Sequence, residues 1–153
     1  MPEASEWTVL TAKKQTKGRG KPGSLWFSPP GGLYFSLILK PRKNPAKLAP
    51  FTLMTAEAIV SVIKRECNLA PDIKLPNDIL INSKKVCGIL TEKAGDSLIV
   101  GVGLNLNIND IPEELNATSL LLECKKNFDP KHFLFEIINE LKKKYLNLLH
   151  NRL

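Results

Sequence analysis

Histidine and cysteine are scarce in this sequence, and their scarcity removes whole classes of chemistry. His132 and His150 are the only two histidines, and both fall in one terminal segment of helical pattern. A histidine-based metal site or a Ser-His-Asp triad has almost no material. Cys67, Cys87 and Cys124 are three, an odd number, and widely spaced. They form no CxxC pair, so neither a disulfide framework nor a structural zinc site is indicated, and three reduced thiols in a cytoplasmic protein are expected. No apolar run approaches the roughly 18 residues a membrane span needs, so no membrane partner is expected. The first residues, Met-Pro-Glu-Ala-Ser-Glu-Trp, show no basic stretch leading into an apolar one, the mark of a secretory signal. Acidic residues are also short: 15 against 22 basic, a formal net charge of +7. That balance favours an anionic partner without choosing among nucleotide, nucleic acid, phosphate and acidic protein. No helix-turn-helix, zinc finger or RNP pattern points to nucleic acid, and no DNA partner is expected.

With 153 residues, 43% apolar and 24% charged, the chain fits one domain, residues 1–153, with a core of its own. Trp7 to Ala12 reads as a short strand and Leu33 to Leu39 as a longer, mostly apolar one. Between them, Lys13 to Gly32 holds five glycines, three prolines and five basic residues. This is a loop by composition, and a loop of that length in a compact domain is usually functional or mobile. Pro45 or Pro50 suits the first turn of a helix, and apolar residues recur at helical spacing from Phe51 to Cys67. Ile73 to Leu75 is a short strand ended by Pro76. Ile79 to Ile81 and Val86 to Thr91 form a hairpin turning at Asn82-Ser83, and Leu98 to Leu106 is a further strand. Asp129 is a good N-cap with Pro130 behind it. The helix after it carries Leu134, Ile137, Ile138, Leu141, Tyr145 and Leu148 on one face. Strands outnumber helices and several are joined by hairpin turns. The expected class is therefore α+β, a mostly antiparallel mixed sheet with helices packed on one face.

Four segments could carry chemistry. Gln15-Thr16-Lys17-Gly18-Arg19-Gly20-Lys21-Pro22-Gly23 combines glycines, which let backbone N–H groups approach a ligand, with fixed positive charge. It lacks the Gly-Lys-Ser/Thr of a Walker loop. A flexible basic surface loop is the plainer alternative. Lys74-Leu75-Pro76-Asn77-Asp78 is either an ordinary turn or a polar corner at a strand end. Lys84-Lys85 stands just before an apolar strand. Gly101-Val102-Gly103-Leu104-Asn105 begins like a dinucleotide fingerprint, but its sixth residue is Leu106 and it continues as strand, so a Rossmann reading is poor.

Taken together and in order, TAKKQTKGRGKPGSLWFSPPGGLYFSLIL, KLPNDILINSKKVCGILTE, IVGVGLNLN and ATSL resemble the catalytic domain of the biotin protein ligases, also called biotin–[acetyl-CoA-carboxylase] ligases. The resemblance runs from about Thr8 to Leu120. It implies an ATP-dependent ligase that activates biotin to biotinyl-5′-AMP and transfers it to a lysine of a biotin carboxyl carrier domain, as in acetyl-CoA carboxylase. Biotin and ATP are then the substrates, and Mg²⁺ is expected with ATP. By matching residue, the resemblance implies that Gln15, Gly18, Arg19, Gly20, Lys21 and Lys85 bind biotin and its acyl phosphate, Lys85 and Arg19 being catalytic. It places Lys21, Trp26, Asn77, Asp78 and Asn105 at the nucleotide, with Trp26 against adenine, and it implies no protein-held metal. The expected setting is cytoplasmic, as a monomer or homodimer.

The sequence departs from the family pattern in places. Lys21 and Ser24 stand where arginines are usual, and Leu75 replaces the tryptophan of KWPND. The family's opening helix region with its Ser-Thr-Asn string, its small C-terminal domain and the winged helix of some members are expected to be absent. Two alternatives accompany the main reading. One is a catalytically impaired biotin- and nucleotide-binding paralogue. The other is a lipoate–protein ligase, against which the absence of an early histidine and of an Arg-Arg segment counts.

Overall fold

The structure, a computed structural model, describes residues 4–43 and 45–152. Six strands form one sheet: β1 (Val9–Ala12), β2 (Leu33–Leu39), β3 (Asp72–Lys74), β4 (Asp78–Ile81), β5 (Lys84–Ala94) and β6 (Ser97–Leu104). Their spatial order is β1-β2-β6-β5-β4-β3, and every neighbouring pair is antiparallel. The expected α+β class holds. The sheet is more uniformly antiparallel than expected; among the described residues parallel pairing occurs only as an isolated bridge between Lys85 and Ala117.

The β4–β5 hairpin turns at Asn82-Ser83 as the sequence indicates. Ile81 pairs with Lys84 across the turn. Both loop residues have positive φ, 49° and 65°, the backbone twist that a two-residue hairpin favours. At the other end of the chain β1 is shorter than expected, starting at Val9. Trp7 has φ 67°, which turns the chain out of the extended region. Its N–H still reaches Ile38 O at 2.8 Å, and its ring meets Tyr145 edge-on with centroids 5.4 Å apart.

Helix α1 (Ala49–Cys67) opens with Pro50 in its first turn, where the missing N–H costs nothing; Pro45 lies outside it. The short helix α2 (Leu120–Cys124) was not foreseen. Its N-cap is Ser119, whose Oγ accepts from Leu122 N–H. Five residues are too few for apolar periodicity to register. Helix α3 (Pro130–Arg152) begins where Asp129 indicates, with Lys131 N–H donating to Asp129 Oδ1 at 3.1 Å.

Sequence alternation divides each central strand into two faces. Leu33, Phe35, Leu37 and Leu39 of β2, Leu98, Val100, Val102 and Leu104 of β6, and Cys87 and Ile89 of β5 belong to the core. α1 covers this side, burying Met54, Ala58, Ile59, Val62 and Ile63. α3 lies against α1 and adds Phe133, Ile137, Leu141 and Tyr145 to the same cluster. Burying side chains of this size stabilises by about 1.5–3 kcal/mol each before chain entropy is charged against it. α1 and α3 therefore sit away from the second face, which stays open.

Candidate active site: a glycine-floored sheet face under a basic loop

Strand register sets the composition of the open face. One row across the sheet is Ala12, Tyr34, Gly103 and Gly88; the next is Leu10, Ser36, Gly101 and Leu90; a third is Ile38, Ile99 and Glu92. Three glycines at the centre leave a floor of backbone. A Cβ on Gly88 would come within 2.9 Å of the Trp26 ring, so glycine there lets the indole lie flat on the strand. Gly103 accepts the other side of the same indole. Gly101 is different: a Cβ there meets only Leu90, at 3.4 Å or more, so space remains above it.

The loop from Lys13 to Gly32 roofs this floor. Its tip is a small hairpin with Arg19 bridged to Leu25. Lys21-Pro22-Gly23-Ser24 makes the turn: Ser24 N–H donates to Lys21 O at 2.9 Å and Gly23 has φ 83°. Proline then glycine at the central positions is the type II preference. The root of the loop is knotted by hydrogen bonds. Gln15 N–H donates to Ser28 O at 3.0 Å and Gln15 Nε2 to Ser28 Oγ at 3.0 Å, and Ser28 Oγ donates to Trp26 O at 3.0 Å. Gly18 is buried inside this knot, where a Cβ would stand 2.6 Å from Ser28 Oγ and from Trp26 O. Loop and floor enclose a cavity of about 330 Å³, lined among others by Gln15, Lys17, Arg19, Trp26, Leu90 and Gly101. Arg19 reaches across its mouth to Glu92 at 3.5 Å, both side chains being exposed.

A second cavity of about 130 Å³ adjoins Trp26 on its other side, lined by Leu25, Phe27, Lys85, Asn105, Ile111, Leu115 and Ala117. The indole is thus a wall common to both. Lys85 Nζ stands 4.9 Å from the Trp26 ring centroid and 2.8 Å from Asp78 Oδ1. The Lys85 side chain is 33% exposed, partly desolvated but reachable. Its backbone is clamped, with Lys85 N–H donating to Asn116 O at 3.1 Å and Thr118 N–H to Lys85 O at 2.9 Å. Asn77 donates from Nδ2 to Ile89 O at 3.0 Å, and Asn105 from Nδ2 to Thr118 O at 3.0 Å. The opposite amide oxygens of both, and Trp26 Nε1, are buried without a hydrogen-bond partner. Buried polar atoms left unpaired are costly, and each of these needs a partner from outside the chain, water or ligand.

Of the residues named from sequence, Gln15, Arg19 and Trp26 come together on the larger cavity and Trp26, Lys85 and Asn105 on the smaller. Asp78 joins through Lys85. Lys21 stands at the hairpin tip, and Gly20 beside it packs on Ser24; neither lines a cavity. The sheet-face residues Leu10, Ser36 and Ile99 were not anticipated, nor were Ile111, Leu115 and Ala117; Leu90 and Gly101 lie in segments singled out from sequence but given no role of their own. The Gly-Val-Gly alternation in β6 was the available signal, since two glycines two apart in a strand leave one face bare.

A sheet sealed by helices on one side, glycine-floored on the other and roofed by a basic glycine-rich loop defines an α+β domain with an open cavity on its second face. Comparison with known proteins gives that class a family. Residues 2–109 match the model of the biotin/lipoate A/B protein ligase family, and the chain belongs to that family. It is similar to the bifunctional ligase/repressor BirA of Bacillus subtilis, 41% identical over 152 residues, covering 93% of this chain and 47% of that protein. It is also similar to a biotin–[acetyl-CoA-carboxylase] ligase of Paracoccus denitrificans, 33% identical over 142 residues, 85% of this chain and 58% of that protein. Among solved structures, the biotin protein ligase of Aquifex aeolicus in complex with biotin and ATP superposes with a TM-score of 0.91 at 34% identity, over 97% of this chain and 65% of that one. The chain spans about half the length of the curated relatives it matches.

Proposed function

We propose that this chain carries the biotin-activating site of a biotin protein ligase: it joins biotin to the α-phosphate of ATP and passes the biotinyl group to a lysine of a biotin carboxyl carrier domain. The observation that carries the reading is the position of Lys85, at the Trp26 wall between two cavities, held by Asp78. A carboxylate from one side and an α-phosphate from the other would converge there. Biotin occupies the larger cavity, its ring system on the Gly101 floor and beside Gln15, its valeryl chain running toward Trp26. Adenosine occupies the smaller one, with adenine against Trp26 and the free amide oxygen of Asn105 within the same wall.

In the first step a biotin carboxylate oxygen attacks the α-phosphorus and pyrophosphate leaves. In the second, the carrier lysine's amine attacks the acyl carbonyl and AMP leaves. Neither step needs an enzyme nucleophile. Charge accumulates on the phosphoryl oxygens, and preorganised cations aimed there are the main catalytic resource. Lys85 supplies one. Arg19 supplies another once it exchanges Glu92 for the anion, and Gly18 and Gly20 let the loop backbone close on the acyl phosphate with Lys21 at its tip. Asp78 fixes the Lys85 rotamer, and Asn77 fixes the strand end that carries Asp78. Among the described residues no group of three or more His, Cys, Asp or Glu side chains could hold a metal ion. An Mg²⁺ ion arriving with ATP would be held mainly by phosphate oxygens.

The test is biotin-dependent release of pyrophosphate from ATP. Lys85→Ala should lower its rate by about 10²-fold or more, the usual effect of removing a preorganised donor. Lys84→Ala, whose side chain points to solvent from the neighbouring strand position, should leave the rate unchanged. Equal rates in wild type and Lys85→Ala would overturn the assignment.

A further inference from the structure

The two glycines of the Gly-Val-Gly stretch in β6 have different tasks. Gly101 clears the cavity floor, whereas Gly103 is covered. Gly103 and Gly88 stand directly opposite one another on β6 and β5, and the Trp26 indole spans the pair. A Cβ on Gly103 would run into the five-membered ring, nearest Nε1, with Cε2 at 2.6 Å and Cδ1 at 2.9 Å. A Cβ on Gly88 would meet the six-membered ring at Cζ3, 2.9 Å away, with Cε3 and Cη2 at 3.3 Å. Carbon atoms pack at about 3.5–4.0 Å, so no side chain fits under the ring at either place. The main chain of Trp26 is pinned and does not slide to make room. Its N–H donates to Gly18 O at 2.8 Å and its carbonyl accepts from Ser28 Oγ at 3.0 Å. Neither Gly88 nor Gly103 has a positive φ, so the strand backbone itself would take alanine; the indole is what forbids it.

We propose that Gly88 and Gly103 are positioning residues, a cross-strand seat that fixes how deep the Trp26 indole lies and so sets the wall between the two cavities. Trp26 lines both of them, and Lys85 Nζ stands 4.9 Å from its ring centroid. A ring lifted off the seat changes the space on both sides at once, and with it the surroundings of the cation. That these spaces receive biotin and nucleotide rests on the function proposed above; the seat itself rests on the packing of the ring.

Two consequences separate a seat from ordinary strand packing. The pair is unequal: a Cβ on Gly103 comes within 2.9 Å of three ring atoms, one on Gly88 within 2.9 Å of a single atom. Gly103→Ala is therefore the harsher change. The sign of the effect also depends on Trp26. Alanine in place of glycine stabilises where backbone and space accept it, through the lower entropy of the unfolded chain. Gly103→Ala thus destabilises the native chain and is neutral or stabilising once the indole is removed. The two substitutions are coupled, not additive.

The experiment is a cycle of melting temperatures on the full chain: wild type, Gly103→Ala, Trp26→Ala and the double variant. Where Trp26 is present, Gly103→Ala should lower the midpoint by about 3–10 °C, the effect of an overpacked contact in a chain of this size. Where Trp26 is absent, it should leave the midpoint equal or higher. Gly88→Ala should repeat the pattern with a smaller shift, and it carries the test if Gly103→Ala does not fold. The two tryptophans are Trp7 and Trp26, and Trp7 packs against the core on the helix side. In a Trp7→Phe background the fluorescence reports Trp26 alone, and Gly103→Ala should make it more readily quenched by acrylamide. In biotin-dependent pyrophosphate release, Gly103→Ala should raise KM for biotin and for ATP together, with kcat/KM lower by about tenfold to a hundredfold. A midpoint drop of the same size with and without Trp26, or unchanged quenching, would overturn the seat. Absence of biotin-dependent release in wild type would overturn the ligase reading, while the melting cycle and the quenching still decide the seat.

Discussion

One sheet presents two faces made by alternate residues of the same strands, and they obey opposite rules. On the helix side, Leu37, Val100, Val102 and Ile89 are large, close-packed and sealed by α1. On the loop side, their immediate neighbours Ser36, Gly101, Gly103 and Leu90 leave a bare floor and an open cavity. The first face spends its residues on stability. The second leaves polar atoms of Trp26 and Asn105 buried and without a protein partner, a cost that a bound ligand can remove. A step of one residue along β2 or β6 therefore moves a substitution from the packed core to the open cavity.

The sharpest way to break this contrast is on the sealed face. Leu37 is 0% exposed, and Leu37→Ala should cost about 2–5 kcal/mol, seen as a lower midpoint in urea unfolding. Biotin affinity below the transition should stay as in wild type. An affinity loss matching the stability loss would mean that the two faces are not separable.

A smaller effect comes from Tyr34, the large residue at the back of the open face. Its hydroxyl donates to Pro29 O at 2.6 Å. Burial raises its pKa to about 12, against which a backbone hydrogen bond at Gly32 acts weakly. The unfolded chain ionises this group near 10, so between pH 10 and pH 12 the unfolded state holds fewer protons and stability falls as pH rises. Cys67, raised to about 12 by burial and by Cys124, starts its own loss near pH 9. Tyr34→Phe should remove about 2 kcal/mol of the fall between pH 10 and pH 12 while leaving the Cys67 part in place. Identical pH profiles for the variant and wild type would show that the phenol is not held as described.

Similar in size is the effect at Trp26, the wall between the cavities. Trp26→Ala should weaken nucleotide binding by about 1–3 kcal/mol, the range for stacking of a base on an aromatic side chain, read by calorimetry with a non-hydrolysable ATP analogue. An unchanged dissociation constant would remove Trp26 from the nucleotide site.

How much of this was readable in the chain differs between the faces in the same way. The sealed face was legible, because aliphatic periodicity and capping residues report burial directly: α1 and α3 begin within a few residues of the expected points, at Pro50 and Asp129, and the Asn82-Ser83 turn is where its residue types put it. The open face was legible only in its polar and glycine-rich string, and its residues gathered meaning through family resemblance. Leu10, Ser36 and Ile99 could not be picked out, because membership of the floor depends on register between strands distant in sequence. Ile111, Leu115 and Ala117 were hidden for a similar reason: they lie on an irregular segment fixed by the Lys85–Ala117 bridge, which no local pattern announces. Lys21 shows the reverse. Sequence matching groups it with the binding residues, and the turn chemistry of Lys21-Pro22-Gly23-Ser24 puts it on the hairpin tip.

The central claim is that the bare floor around Gly101 is where biotin lies. Titration calorimetry of biotin against wild type and Gly101→Val, with melting temperatures of both, tests it most directly. A Cβ at position 101 meets nothing closer than Leu90 O at 3.4 Å and faces the open cavity, so the melting temperature should move little. The same side chain takes the ligand's place, and biotin affinity should fall by about tenfold to a hundredfold, the scale of an overpacked contact. Undiminished biotin affinity in Gly101→Val would contradict the account.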